Sequence, residues 1–229
     1  QLLFGEHIEI LERKNQWARI RIQFDDYEGW VDSKQYQEIT KEQFNQLSKE
    51  AIILNADLID YITAPDNLLL PIPLGASLSF LNNSEINTSN FDFEGTKTSG
   101  IKPKSAIINT AFMYLNAPYL WGGKTPFGID CSGFTQMVYK LNGYKIHRDA
   151  SQQARDGEPL SFIEESEPGD LAFFDNEEGN IIHVGIIMEN NFIILASGKV
   201  RIDRIDHLGI YNPELNKHTH NLRVIKKII

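Results

Sequence analysis

The sequence predicts an α+β protein, and two observations carry the prediction. From residue 102 onward, a segment with helical apolar spacing is headed by the only cysteine in the chain and is followed by short apolar runs divided by turn residues. That order, helix first and antiparallel strands after, is the α+β pattern. Before it, residues 1–100 alternate brief apolar runs with polar turns, which reads as small all-β units.

Taken in order, residues 1–40 give four short strands, Gln1 to Phe4, His7 to Glu12, Trp17 to Gln23 and Tyr27 to Asp32. The alternation of Trp17, Arg19 and Arg21 against Ala18, Ile20 and Ile22 is that of a half-buried strand. Through Leu3-Phe4-Gly5-Glu6, Trp17-Ala18-Arg19-Ile20-Arg21 and Tyr27-Glu28-Gly29-Trp30-Val31, this stretch resembles a bacterial SH3-like domain. Residues 41–55 set Phe44, Leu47, Ala51, Ile52 and Leu54 among Lys, Glu and Gln, the pattern of an amphipathic connector helix. Residues 56–100 return to short apolar runs, Leu68 to Leu70, Pro71 to Ala76 and Ser77 to Leu81, and are expected to form a second, degenerate SH3-like barrel. Asn82 to Gly100, rich in Asn, Ser, Thr and Gly, is expected to be largely loop.

The third domain spans 101–229 and opens with a helical set, Ala106, Ile107, Ala111, Phe112 and Leu115. A loop punctuated by Gly122, Gly123, Pro126 and Gly128 then leads to Cys131, after which Phe134, Met137, Val138 and Leu141 recur with helical spacing. The thiol therefore sits at a helix N-terminus, with Asp130 as the N-cap residue. The unpaired amides and positive dipole end of the helix favour a thiolate, whereas the Asp130 carboxylate opposes it, so a base is still needed. Pro168-Gly169-Asp170 turns into Leu171 to Phe174, and strands follow at Ile181 to Met188, Phe192 to Ala196 and Val200 to Ile205.

Of six histidines, His183 stands out, because the run Ile181 to Met188 would hold it rigidly and Gly185 on the same face leaves space beside the ring. On its own, such a histidine is usually a satisfied core residue. His7, His147, His207, His218 and His220 lie in polar or peripheral stretches and are expected to be solvated, although His218 and His220 could hold a metal weakly.

Composition narrows the function. With 229 residues, 41% of them hydrophobic, the chain can bury a sizeable core. A net charge of −9 argues against nucleic acid or an anionic membrane surface as the main partner. A small molecule or peptide fits better. One cysteine rules out an internal disulfide, and no metal-binding motif is present, so neither metal nor cofactor is expected. No run is long enough to span a bilayer and no signal-peptide profile opens the chain, although it begins at Gln1 rather than Met. The expected species is a monomer, and the compartment, bacterial cytoplasm or periplasm, stays undetermined.

Four motifs then converge: Pro118-Tyr119-Leu120-Trp121-Gly122-Gly123, Asp130-Cys131-Ser132-Gly133-Phe134, Pro168-Gly169-Asp170-Leu171 with Phe173-Phe174, and His183-Val184-Gly185-Ile186. In these, residues 102–229 resemble the NlpC/P60 cysteine peptidases. The resemblance implies a papain-like catalytic domain, Cys131 as nucleophile, His183 as base and Tyr119 at the oxyanion region. With SH3-like domains in front, the whole chain resembles the γ-D-glutamyl-L-diamino acid endopeptidases, which process murein peptides bearing a free N-terminal L-Ala. That likeness implies Asp130, Ser132 and Ser151, together with Glu6 and Tyr27, as residues reading the substrate and its amine. One departure stands out. Where the family carries a third polar residue, usually His, this chain has Leu195 in Phe192-Ile193-Ile194-Leu195-Ala196-Ser197-Gly198. Leucine can neither orient the imidazole nor fix its tautomer. Besides the endopeptidase, the sequence therefore leaves open a catalytically weakened muropeptide or cell-wall binder, and acyl transfer or amide hydrolysis on a non-murein substrate.

Overall fold

The computed structural model describes residues 1–82, 86, 90–212 and 215–229. They form two compact units, one of Leu2–Gly100 and one of Ile101–Ile229 with Gln1.

In the first unit a three-stranded antiparallel sheet runs β1 (Ile8–Lys14), β2 (Trp17–Ile22), β3 (Glu28–Asp32). Its inner face buries Ala18, Ile20 and Ile22, as the strand alternation predicts. The strand expected at Gln1 to Phe4 does not form. Phe4 instead accepts the Ser77 amide and packs edge-on against Phe80 and Phe91, so this segment serves the core around Ile62, Ile72 and Leu78.

Helix α1 covers only Lys41–Leu47 of the expected connector. Thr40 and Gln43 form a reciprocal capping box at its start. Ile52 and Leu54, counted in the sequence as helical, lie beyond it, and Leu54 belongs to strand β4 (Ile53–Asn55). Pairing with β7 (Lys97–Ser99), which sets buried Leu54 opposite Thr98, won over the helical count. Strands β5 (Ile59–Thr63) and β6 (Leu69–Pro73) pair with each other, and β7 (Lys97–Ser99) pairs with β4. Part of the stretch expected as loop lies outside the described residues, and its end is the strand β7.

The second unit begins with α2 (Ala106–Phe112), whose chain then turns through Asn116, held at φ 69°. A two-rung hairpin, β8 (Lys124–Thr125) and β9 (Gly128–Ile129), delivers the chain to α3 (Cys131–Leu141). Every residue of α3 is buried. Asn142 ends it, donating to the Val138 carbonyl at 2.8 Å and to Thr110 of α2 at 2.9 Å, which ties the two helices together. A short α4 (Ala150–Gln153) follows.

The remaining strands are β10 (Glu158–Leu160), β11 (Leu171–Asp175), β12 (Ile181–Met188), β13 (Phe192–Ser197), β14 (Lys199–Ile205), β15 (Gly209–Asn212) and β16 (Lys217–Lys227). They order as β10-β16-β11-β12-β13-β14-β15, and β15 pairs back to β16. Strands β11 to β16 therefore close into a six-stranded antiparallel barrel, with β10 on the flank of β16. Ala172, Phe174, Ile187, Ile193, Leu195, Ile205, Ile210 and Ile225 fill one cluster on its inner face. Alternate residues of β12 and β13, Val184, Ile186, Ile194 and Ala196, point the other way and are also buried, because α3 packs on these strands.

Candidate active site

Cys131 is the first residue of α3, and Asp130 caps the helix by accepting the Gly133 amide at 2.6 Å. Gly133 is required there, since a Cβ on it would lie 2.3 Å from the Gly123 carbonyl oxygen. The Asp130 carboxylate also takes the Gly122 amide at 2.7 Å and a bidentate pair from Arg148 at 2.9 and 2.7 Å. Arg148 Nη1 also donates to Ser132 Oγ at 2.9 Å. Asp130, Ser132 and Arg148 are all buried, so this is a desolvated, hydrogen-bonded ion pair clamping the chain on both sides of the thiol.

The thiol is 7% exposed. Burial pushes its pKa up to about 11 and the Asp130 charge adds to this, while the Val184 and Ser132 amides and Arg148 pull it back. The Val184 amide locates the sulfur against β12, beside the residue that follows His183.

His183 is 8% exposed, and burial drives its pKa down to about 3 with help from the neighbouring His220, opposed by Asp130. At neutral pH the two groups are thus a neutral thiol and a neutral imidazole, an arrangement suited to proton transfer during attack. Tyr119 lies near the same centre: burial raises its phenol pKa first, and the charges of Cys131 and Asp130 raise it further.

The structure thus brings Cys131, His183, Tyr119, Asp130 and Ser132 together. Ser151 is exposed on α4, and Gln153, on the same helix, holds the Ser132 carbonyl at 3.0 Å and the Thr135 hydroxyl at 2.7 Å. Glu6 and Tyr27 belong to the first unit, where the Glu6 carboxylate accepts the Leu3 amide at 2.9 Å and Tyr27 is 37% exposed.

Two sequence expectations need correction. The space beside Gly185 is not open, since a Cβ there would meet Ile193 Cδ1 at 2.8 Å and Leu195 Cβ at 3.0 Å. Nor is His220 solvated: its ring lies 4.6 Å from that of His183, tilted by 34°, and 5.9 Å from that of Phe174. His218 is half-buried and pairs with Asp206 at 2.9 and 3.0 Å. The polar composition of residues 217–221 hid a strand whose alternate residues, His218, His220 and Leu222, are its more buried ones. Reading that period-two pattern would have found His220. Arg148 was missed as well, although it heads the Arg-Asp-Ala-Ser-Gln stretch that pointed to Ser151.

Residues 116–222 match the family model described as NlpC/P60 family, and residues 1–35 match one described as bacterial dipeptidyl-peptidase Sh3 domain. A γ-D-glutamyl-L-lysine dipeptidyl-peptidase of Bacillus subtilis is 32% identical over 209 residues, covering 81% of this chain and 68% of its own. A protein of the same name from Bacillus cereus is 28% identical over 219 residues, covering 85% and 66%. The chain spans about two thirds of the length of these relatives. Among solved structures, an NlpC/P60 family protein from Bacillus cereus superposes with a TM-score of 0.81 over 99% of this chain and 81% of its own, at 22% identity.

Proposed function

The chain belongs to the NlpC/P60 family, a peptidase family, with a bacterial SH3 domain at its head, and from that premise we propose that it is a cysteine endopeptidase of murein peptides. The bond cut is that between γ-D-Glu and the diamino acid, in peptides with a free N-terminal L-Ala. The single observation that carries this reading is Cys131 at the head of a buried helix, held against β12 at the residue next to His183.

In the proposed reaction, neutral His183 takes the thiol proton as Sγ adds to the γ-carbonyl carbon. The oxyanion so formed faces the amides at the start of α3, and the Tyr119 hydroxyl is a further donor for it. Collapse breaks the C–N bond, the leaving amine takes the proton from His183, and water then hydrolyses the thioester with His183 again as base. The amine of the substrate is read by Ser132 and Ser151, and the resemblance proposes Glu6 and Tyr27 as further readers of the substrate. Asp130 contributes while sharing its oxygens with Arg148, Gly122 and Gly133. A peptide with a blocked amine leaves such a polar subsite unpaired, which supports selectivity for released peptides. We also read residues 56–100 as a second, degenerate SH3-like barrel, on the strength of its two short antiparallel pairs over a shared core.

The second reading, a muropeptide binder with weakened catalysis, is favoured by one observation: Leu195, fully buried and apolar, where the resemblance calls for a polar residue. Calorimetric titration of the peptide into the protein, run beside a mass-spectrometric assay, separates the two. Turnover that disappears in Cys131→Ala supports the peptidase, whereas heat of binding without product supports the binder.

A further inference from the structure

A buried imidazole that serves as a base needs a partner that fixes which nitrogen carries the hydrogen. His183 Nε2 is buried and has no hydrogen-bond partner among the described residues. Leu195, which pairs with Gly185 across the β12–β13 ladder, is fully buried in the apolar cluster that also holds Phe174 and offers no polar atom. Two rings touch His183: Phe174 from β11, with centroids 6.1 Å apart, and His220 from β16, at 4.6 Å. His220 reaches this point only because β16 closes the barrel, pairing with β15 at Ile210 and with β11 from Asn221 onward. Its Nδ1 lies 2.9 Å from the Thr219 hydroxyl oxygen. A hydrogen on Nδ1, donated to Thr219, leaves Nε2 of His220 as an acceptor.

We propose that His220 is the positioning residue of His183, packing on its ring and accepting its Nε2–H in place of the polar side chain that Leu195 cannot supply. That bond requires the His220 ring to turn out of the tilted stack, so that its Nε2 comes into the plane of the His183 ring. The proposal rests on the reading of His183 as the base, because an Nε2–H fixes the lone pair on Nδ1, the nitrogen left for the thiol. The function of a strand-borne polar partner has thus moved from β13 to β16, across the barrel end. Protonation of His220 removes its acceptor and sets a cation against neutral His183. The groups around the pair are Asp130 and Cys131 from the start of α3, Asp203 and Arg201 from β14, Thr219 beside His220, and the apolar Phe174 and Leu195. Burial is the largest influence and disfavours the protonated form of His220; Asp203 favours it, Arg201 disfavours it, and these two are themselves paired at 2.8 Å.

The test uses the full chain and three variants: His220→Phe, which keeps the ring packing but removes the nitrogens; His220→Gln, which keeps a polar group; and His220→Phe combined with Leu195→His. Long-range proton–nitrogen correlation spectra report the His183 tautomer at pH 7 without substrate, and peptide cleavage reports kcat and KM. In the intact protein a single Nε2–H tautomer is expected. His220→Phe should mix the tautomers and lower kcat by about 10- to 100-fold with KM little changed. His220→Gln and the added Leu195→His should each recover the single tautomer and part of kcat. A single Nε2–H tautomer that survives His220→Phe, or failure of Leu195→His to restore it, overturns the proposal. If the intact protein cleaves nothing, the peptidase reading fails, while the spectra still decide the role of His220.

Discussion

At the scale of single residues, the proposed chemistry rests on a neutral pair. Burial holds the Cys131 thiol near 11 and the His183 imidazole near 3, so neither carries charge at rest. Removing the sulfur in Cys131→Ala should lower peptide cleavage at least ~10³-fold, measured by product mass spectrometry, since Sγ forms the acyl bond in the proposed reaction. The depressed His183 pKa also has a stability consequence. The unfolded chain takes up a proton near pH 6.5 and the folded one does not until about pH 3, so stability conferred by this site is complete above 6.5 and is lost as the pH falls between them. Urea midpoints at pH 7 and pH 4 should therefore differ less in His183→Gln than in the native chain. Arg148 is the clearest structural residue of the site. Arg148→Met leaves the buried Asp130 carboxylate without its bidentate partner and should cost about 3–5 kcal/mol in denaturant unfolding. It should also raise the thiol pKa, because Arg148 is one of the groups that lower it.

At the scale of elements, the position of the thiol depends on α3, and α3 depends on its two ends. Asp130 fixes the start, and Asn142 joins the finish to α2. Asn142→Ala removes two buried hydrogen bonds and leaves the Thr110 hydroxyl without its donor, so urea unfolding should show a loss of about 1–3 kcal/mol. Much of this element was legible in the sequence, because helical spacing at Phe134, Met137, Val138 and Leu141 and an N-cap Asp are local signals. Strand β12 was legible from its boundaries inward for the same reason. What could not be read was long-range closure. Strand β16 is polar on its exposed residues and pairs with β10, β11 and β15, so while its period-two pattern was present in residues 217–221, the approach of His220 to His183 was not visible there. The Asp130–Arg148 pair is likewise eighteen residues apart in sequence and adjacent only after folding.

At the scale of the whole molecule, a barrel domain with a buried thiol is joined to a unit whose first 35 residues match a bacterial SH3 domain. In the proposed function that unit supplies Glu6 and Tyr27 to amine recognition. Glu6→Gln with Tyr27→Phe should reduce the preference for free-amine over acetylated peptide at least ~10-fold, read as a ratio of kcat/KM values. The measurement that tests the central claim most directly is mass-spectrometric cleavage of L-Ala-γ-D-Glu-diaminopimelate, with its N-acetylated form and Cys131→Ala alongside. The account predicts release of L-Ala-γ-D-Glu from the free-amine peptide by the intact protein alone. Equal cleavage by Cys131→Ala, or no cleavage of a peptide that the intact protein binds, would contradict it.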